Sequence, residues 1–178
     1  MRYRILGSTG LRVSAIGLGT WQFGGEWGHA FSQADADAIL DKAAEVGINL
    51  IDTAECYGDR TSESLIGDYL SRHDRAGWIV ATKFGHGFKG FMERSEDFST
   101  AGVLRQLEGS LRALRVEAIE LYQFHSGSDN QFQNKSSGQC SLSNGARARY
   151  GTWAFRFSAK GARCRRDKRG ASAPRPSR

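Results

Sequence analysis

The stretch GINLIDTAECYG (residues 47–58) decides the fold. A glycine closes the helical pattern before it, and a short apolar run, INLI, follows. The run ends on a carboxylate, Asp52, with Tyr57 five residues on. Apolar runs of this length, set directly after a helix, belong to strands buried on both faces of a parallel sheet. The C-terminal end of such a strand is where α/β folds assemble their sites.

On the N-terminal side, Ser32 and Asp35 have the spacing of a capping box. Ala36, Ile39, Leu40, Ala43 and Val46 recur at helical spacing up to Gly47, a C-cap. Residues 15–20 (AIGLGT) read as a small apolar strand. Residues 3–6 and 11–14, around Gly7-Ser8-Thr9-Gly10, read as a short hairpin. On the C-terminal side, Ser62-Glu63 opens a second helix carrying Leu65, Ile66, Tyr69 and Leu70. Residues 78–82 (WIVAT) form a strand ending at Lys83. Ser99 caps a third helix with Leu104, Leu107, Leu111 and Leu114 on one stripe. Residues 119–124 (IELYQF) form a fourth strand, ending at His125.

This alternation of strands and helices predicts an α/β fold with a parallel sheet and crossover helices. A doubly wound sheet and a (β/α)8 barrel both fit it. No G-x-G-x-x-G turn leads directly from a strand into a helix, which favours the barrel. A complete barrel takes about 250 residues. The expectation is therefore a TIM-barrel lineage with only about the first four β/α units present.

The charge divides at the same point as the pattern. The whole chain carries +6, but residues 1–134 hold 13 Lys and Arg against 18 Asp and Glu, whereas residues 135–178 hold 12 against the single Asp167. In the second segment Arg, Ser, Ala and Gly supply 28 of 44 positions, with no Ile, Val, Met, Glu or His. That composition predicts a disordered basic tail. The domain expectation is a barrel half over 1–134 and a tail over 135–178. No leader pattern and no membrane-length apolar run is legible, and Cys56, Cys140 and Cys164 have no metal or disulfide spacing. A reduced, cytoplasmic setting with no membrane and no metal is expected.

Asp52, Tyr57, Lys83 and His125 all fall at or just after strand ends, and Trp21 follows the first strand on the same rim. Each has a plainer reading: a turn cap, a half-buried aromatic, a solvated lysine, a packed histidine. Together they form a proton donor. A phenol with a pKa of about 10 is a poor acid at neutral pH. A neighbouring ammonium lowers that value, and a carboxylate beside the ammonium keeps it charged and aimed. Tyr57 is then the general acid, Lys83 its tuner, Asp52 the anchor of Lys83, and His125 the group that orients the substrate oxygen. A carbonyl protonated in this way accepts hydride at carbon, which calls for a hydride-donating cofactor.

GINLIDTAECYG, SESLIG (residues 62–67), IVATKFG (79–85), SLRALRVEAIELYQFH (110–125) and the opening LGSTGLRVSAIGLGTWQFGG (6–25) resemble the aldo-keto reductase family. The likeness runs from about Tyr3 to Asn134. It implies a (β/α)8 barrel that binds NADP(H) and reduces a small-molecule aldehyde or ketone. The family's catalytic Asp, Tyr, Lys and His fall on Asp52, Tyr57, Lys83 and His125. Gly19, Thr20, Trp21 and Asp52 match positions near the nicotinamide and substrate. Glu117-Ala118 stands where the family usually has Asp-Tyr, and Glu120 replaces a usual Asp. The Ser-Asn pair, Gln and aromatic that hold the nicotinamide, and the later phosphate contacts, have no counterpart after Asn134.

A family member continues with a helix containing LW and a strand reading GKIRHLGISI. Joining the third base of each codon to the first two of the next permits LWTML from Ser136 and GKIRHLGISI across residues 147–157. Trp153 ends in G and Ala154 begins GC, so that shifted codon is glycine, as the motif requires. The tail is expected to be a frameshift product arising near Asn134, and the 178-residue chain to have little or no reductase activity. A non-catalytic half-barrel that self-associates through its open edges, or binds a partner, is the alternative. Nucleic-acid binding through the basic tail is a third reading, set below solvated disorder because no recognition module is present.

Overall fold

A computed structural model describes residues 1–128 and the backbone of Phe157–Ser158. The two strands β1 (Tyr3–Ile5) and β2 (Arg12–Ser14) form the expected antiparallel hairpin, with Gly7 and Gly10 at positive φ in its turn. Asn49 ties this hairpin to the rest. Its Oδ1 accepts from the Ser14 backbone N–H at 2.7 Å, and its Nδ2 donates to the Arg12 carbonyl at 3.0 Å.

Four strands then line up side by side and parallel: β3 (Leu18–Gly19), β4 (Leu50–Asp52), β5 (Ile79–Phe84) and, later in the chain, β9 (Leu121–Phe124). Their spatial order follows chain order. A doubly wound sheet reverses direction at a switch point, and no reversal occurs here. Between them run α1 (Gln33–Glu45), α2 (Thr61–Arg72) and α3 (Thr100–Ala113). Helix α2 packs against both α1 and α3. Leu40, Ile66, Leu107 and Leu114 from the helices meet Ile51, Val80 and Tyr122 from the strands in one buried core. The described residues run through the first three β/α units of a (β/α)8 barrel and its fourth strand, and β3 and β9 are the outer strands of their sheet.

The helix signals act as read. The Ser32 hydroxyl accepts from the Asp35 N–H, and the Asp35 carboxylate accepts from the Ser32 N–H. At the other end Gly47, at φ +80°, donates to Ala44 and Ile48 donates to Ala43, the paired bonds of a Schellman ending. Helix α2 differs in detail. It starts at Thr61, behind a left-handed Arg60, and Ser62 and Glu63 point inward and are fully buried. A side chain on Gly67 would strike the backbone of Ala113 and Leu114, so this glycine sets how closely α2 approaches the end of α3.

One element was not expected. Strands β6 (His86–Gly90) and β7 (Glu93–Glu96) form an antiparallel hairpin over the C-terminal ends of the barrel strands, with Phe91 and Met92 exposed at its tip. The short β8 (Ala118–Ile119) precedes β9 and pairs antiparallel with β10 (Phe157–Ser158). Apart from that pair, the expected boundary near Asn134 and the disordered tail over 135–178 lie outside the described residues. No helix among those described is long and apolar enough to cross a membrane.

Candidate active site

Strand β4 ends on Asp52, and register places Asp52 beside Gly19 on one side and Ala81 on the other. The Lys83 side chain, two residues further along β5, crosses back to β4. Its Nζ donates to Asp52 Oδ1 at 2.5 Å, to the Thr53 carbonyl at 2.8 Å and to the Tyr57 hydroxyl oxygen at 3.2 Å. Three acceptors around one ammonium use its three donor positions, so Lys83 is held in place and these partners fix where it points.

Tyr57 is seated by backbone. Gly58 has φ +61°, and a Cβ there would collide with Gly24, while one on Gly24 would collide with Tyr57 and Gly58. The two glycines let the loop after β4 lie directly on the 3₁₀ turn Trp21–Gly24. Trp21 then stacks on the Tyr57 ring at 5.9 Å between centroids. His125 follows β9 immediately. Its N–H donates to the Phe84 carbonyl at 3.0 Å, and its ring meets Tyr57 edge-on at 5.7 Å. All four predicted catalytic side chains thus reach one end of the sheet. Trp21, Tyr57, His125, His86, Met92 and Arg94 line a cavity of about 300 Å³ there.

Burial overrides one expectation. It holds the Tyr57 phenol above its ordinary pKa, and Lys83 pulls the other way without reversing the direction. The expected net lowering is therefore incorrect for the protein as it stands: desolvating the phenolate outweighs the pull of the one ammonium beside it. Burial also pushes the His125 imidazole down to about 4, helped by the nearby Lys83, so the ring is neutral across the physiological range.

Gly19 is exposed, with open space where a Cβ would be. Thr20, by contrast, is 1% exposed: its N–H and hydroxyl both donate to the Asp52 carbonyl at 3.0 Å, and Ser62 Oγ donates to the Thr20 carbonyl at 2.8 Å. Thr20 braces the end of β4 against α2. Glu120 lies at the other end of the sheet, where it accepts from Arg75 at 3.0 Å and from the Val80 N–H at 3.1 Å.

Two groups escaped the sequence reading. Arg60 donates to Glu55 at 2.8 Å, to Glu63 at 3.1 Å and to Ser110 Oγ at 3.1 Å, and Thr82 donates to the other oxygen of Glu63 at 2.7 Å. Burial raises both carboxyls, Glu55 to about 7. The second group is Glu26 with Arg94, bonded at 2.6 and 2.7 Å, which fastens the hairpin to the loop after Trp21. Trp21 Nε1 donates to the same carboxylate at 3.1 Å. The run of acids and Arg60 within residues 55–63 was a usable signal for the first. Nothing local links residues 26 and 94.

Comparison with known proteins decides the lineage. The sequence profile of the Aldo/keto reductase family matches residues 15–131. The chain belongs to the aldo/keto reductase family. It is 36% identical over 124 residues to L-galactose dehydrogenase of Arabidopsis thaliana, a match covering 68% of this chain and 37% of that protein. It is 34% identical over 127 residues to the aldo-keto reductase YhdN of Bacillus subtilis (strain 168), covering 70% and 38%. Among solved structures, the holo form of aldo-keto reductase AKR11C1 from Bacillus halodurans superposes with a TM-score of 0.68 at 32% identity, covering 77% of this chain and 44% of that one. The chain thus spans less than two-fifths of the length of these curated family members.

Proposed function

We propose that this aldo/keto reductase chain carries the proton-donating half of an NADPH-dependent carbonyl reductase, with Tyr57 as the general acid. The observation that supports it most is Lys83, placed between Asp52 and the Tyr57 hydroxyl at 2.5 and 3.2 Å. A phenol whose pKa is held up stays protonated at neutral pH and is loaded to donate. Lys83 then stabilises the phenolate as the proton leaves Oη for an aldehyde or ketone oxygen. Asp52 keeps the ammonium aimed along that path. The neutral imidazole of His125 positions the oxygen without adding a charge.

The residues present fit one end of NADPH. Gly19, with open space beside it at the end of β3 next to Asp52, and Trp21, on the wall of the cavity, would meet a nicotinamide ring. When bound, the cofactor supplies the hydride. The tail is read as the out-of-frame continuation of the gene, in a cytoplasmic protein, with β3 and β9 as edges through which the half-barrel self-associates. Nucleic acid is not the expected partner. The test pairs two chains: the 178-residue polypeptide, verified by intact mass against the gene, and a version with the frame restored near Asn134. The restored chain is expected to oxidise NADPH with an aromatic aldehyde, and the 178-residue chain to do so little or not at all. Equal activity of the two overturns the frameshift reading, and inactivity of the restored chain overturns the reductase reading. Sedimentation of the 178-residue chain gives a concentration-dependent dimer if the edges pair, and a monomer at all concentrations if they do not.

A further inference from the structure

Cys56 sits one residue before Tyr57 and is 1% exposed. Its Sγ lies 3.5 Å from Nδ1 of His125, within hydrogen-bond reach of a sulfur. The contact takes one proton, carried either by the thiol or by Nδ1. The thiol proton remains to be placed, and Nδ1 is the acceptor within reach. Burial keeps the thiol protonated, since it raises the Cys56 pKa against the influence of Arg94.

We infer that Cys56 is a positioning residue that fixes His125 as the Nε2–H tautomer by donating its S–H to Nδ1. The neutral ring then has one defined donor nitrogen, Nε2, and the other nitrogen is occupied behind it. The inference rests on the reading of His125 as the group that orients the carbonyl oxygen: a donor at that position attracts the oxygen, and a lone pair repels it. The opposite tautomer would turn Nδ1–H to the sulfur and leave the thiol proton without an acceptor in a buried place, which is unfavourable.

Both tests use the 178-residue chain and read hydrogen bonding rather than turnover, so the tautomer assignment and the reductase reading can fail separately. Nitrogen-15 NMR of the wild-type histidines is expected to show His125 with its proton on Nε2 and with an accepting Nδ1. A His125 signal protonated at Nδ1 overturns the inference without any variant. In the infrared, the difference between wild type and Cys56→Ala isolates the Cys56 S–H stretch, which is expected below the frequency of an unbonded thiol. Replacing His125 with Phe is expected to move that band upward. A band already at the unbonded position, or one that His125→Phe leaves in place, contradicts the assignment.

Discussion

Two clusters of opposite charge lie within one loop of each other and do different work. On the rim, Lys83 joins Asp52 and Tyr57, and the Asp52 side chain is 44% exposed. Beneath the rim, Arg60 joins Glu55 and Glu63, whose side chains are 4% and 0% exposed. Both place one cation among acids and hydroxyls. The buried cluster spends its hydrogen bonds on protein partners and locks the start of α2 to β5 and α3. The rim cluster keeps a hydroxyl at the edge of a cavity, with an ammonium behind it. Burial decides which cluster is structure and which is chemistry, because an exposed group can exchange partners and a buried one loses stability when it does.

The contrast can be broken by substitution. Lys83→Met in the frame-restored chain is expected to lower kcat for carbonyl reduction by about 10²-fold or more, in the range of proton-transfer catalysis, while urea denaturation changes far less. A stability loss with unchanged kcat would move Lys83 into the structural class. Arg60→Ala is expected to do the reverse. It leaves two buried carboxyls without their cation and costs about 3 kcal/mol of stability in urea denaturation. A cost under about 1 kcal/mol would show the cluster to be as exchangeable as a surface pair.

The pH dependence sharpens the same contrast. Glu55 has a folded pKa of about 7, above its unfolded value near 4.5. The native state therefore binds more protons than the unfolded state between these values, and this group's contribution to stability falls as pH rises from about 4.5 to 7. His125, depressed to about 4, acts in the opposite direction over much of the same range. The Glu55 effect is isolated by Glu55→Gln: its stability relative to wild type is expected to improve by about 2 kcal/mol between pH 4.5 and 7. A pH-independent difference would mean the carboxyl is charged throughout. The smallest effect belongs to the rim. Asp52→Asn is expected to change stability by less than about 1 kcal/mol, since the carboxylate is half in solvent.

The strand ends were legible because their signals are local. An apolar run stopping at Asp52, Lys83 or His125 shows both the strand and the direction its end faces. The capping box at Ser32 and the glycine after α1 are equally local. The hairpin of β6 and β7 was not legible, because HGFKG and ERSE lack a clean apolar–polar alternation and one strand is bulged between Phe88 and Gly90. Its anchor, Glu26 on Arg94, spans 68 residues. Glu63 reads as an ordinary first-turn helix acid, and its burial depends on Thr82 and Ser110 arriving from β5 and α3 and on Arg60 folding back at the head of α2. The direction of the Tyr57 pKa failed for a related reason: the ammonium partner is visible in a motif, whereas the desolvation that outweighs it comes from the assembled cavity.

The central claim is that Tyr57 delivers the proton. The most direct test is NADPH oxidation with an aromatic aldehyde by the frame-restored chain and its Tyr57→Phe variant, which keeps the ring against Trp21 and removes only the hydroxyl. Tyr57→Phe is expected to lower kcat by about 10³-fold, with the fold intact by circular dichroism. A variant that keeps the parent kcat would contradict it.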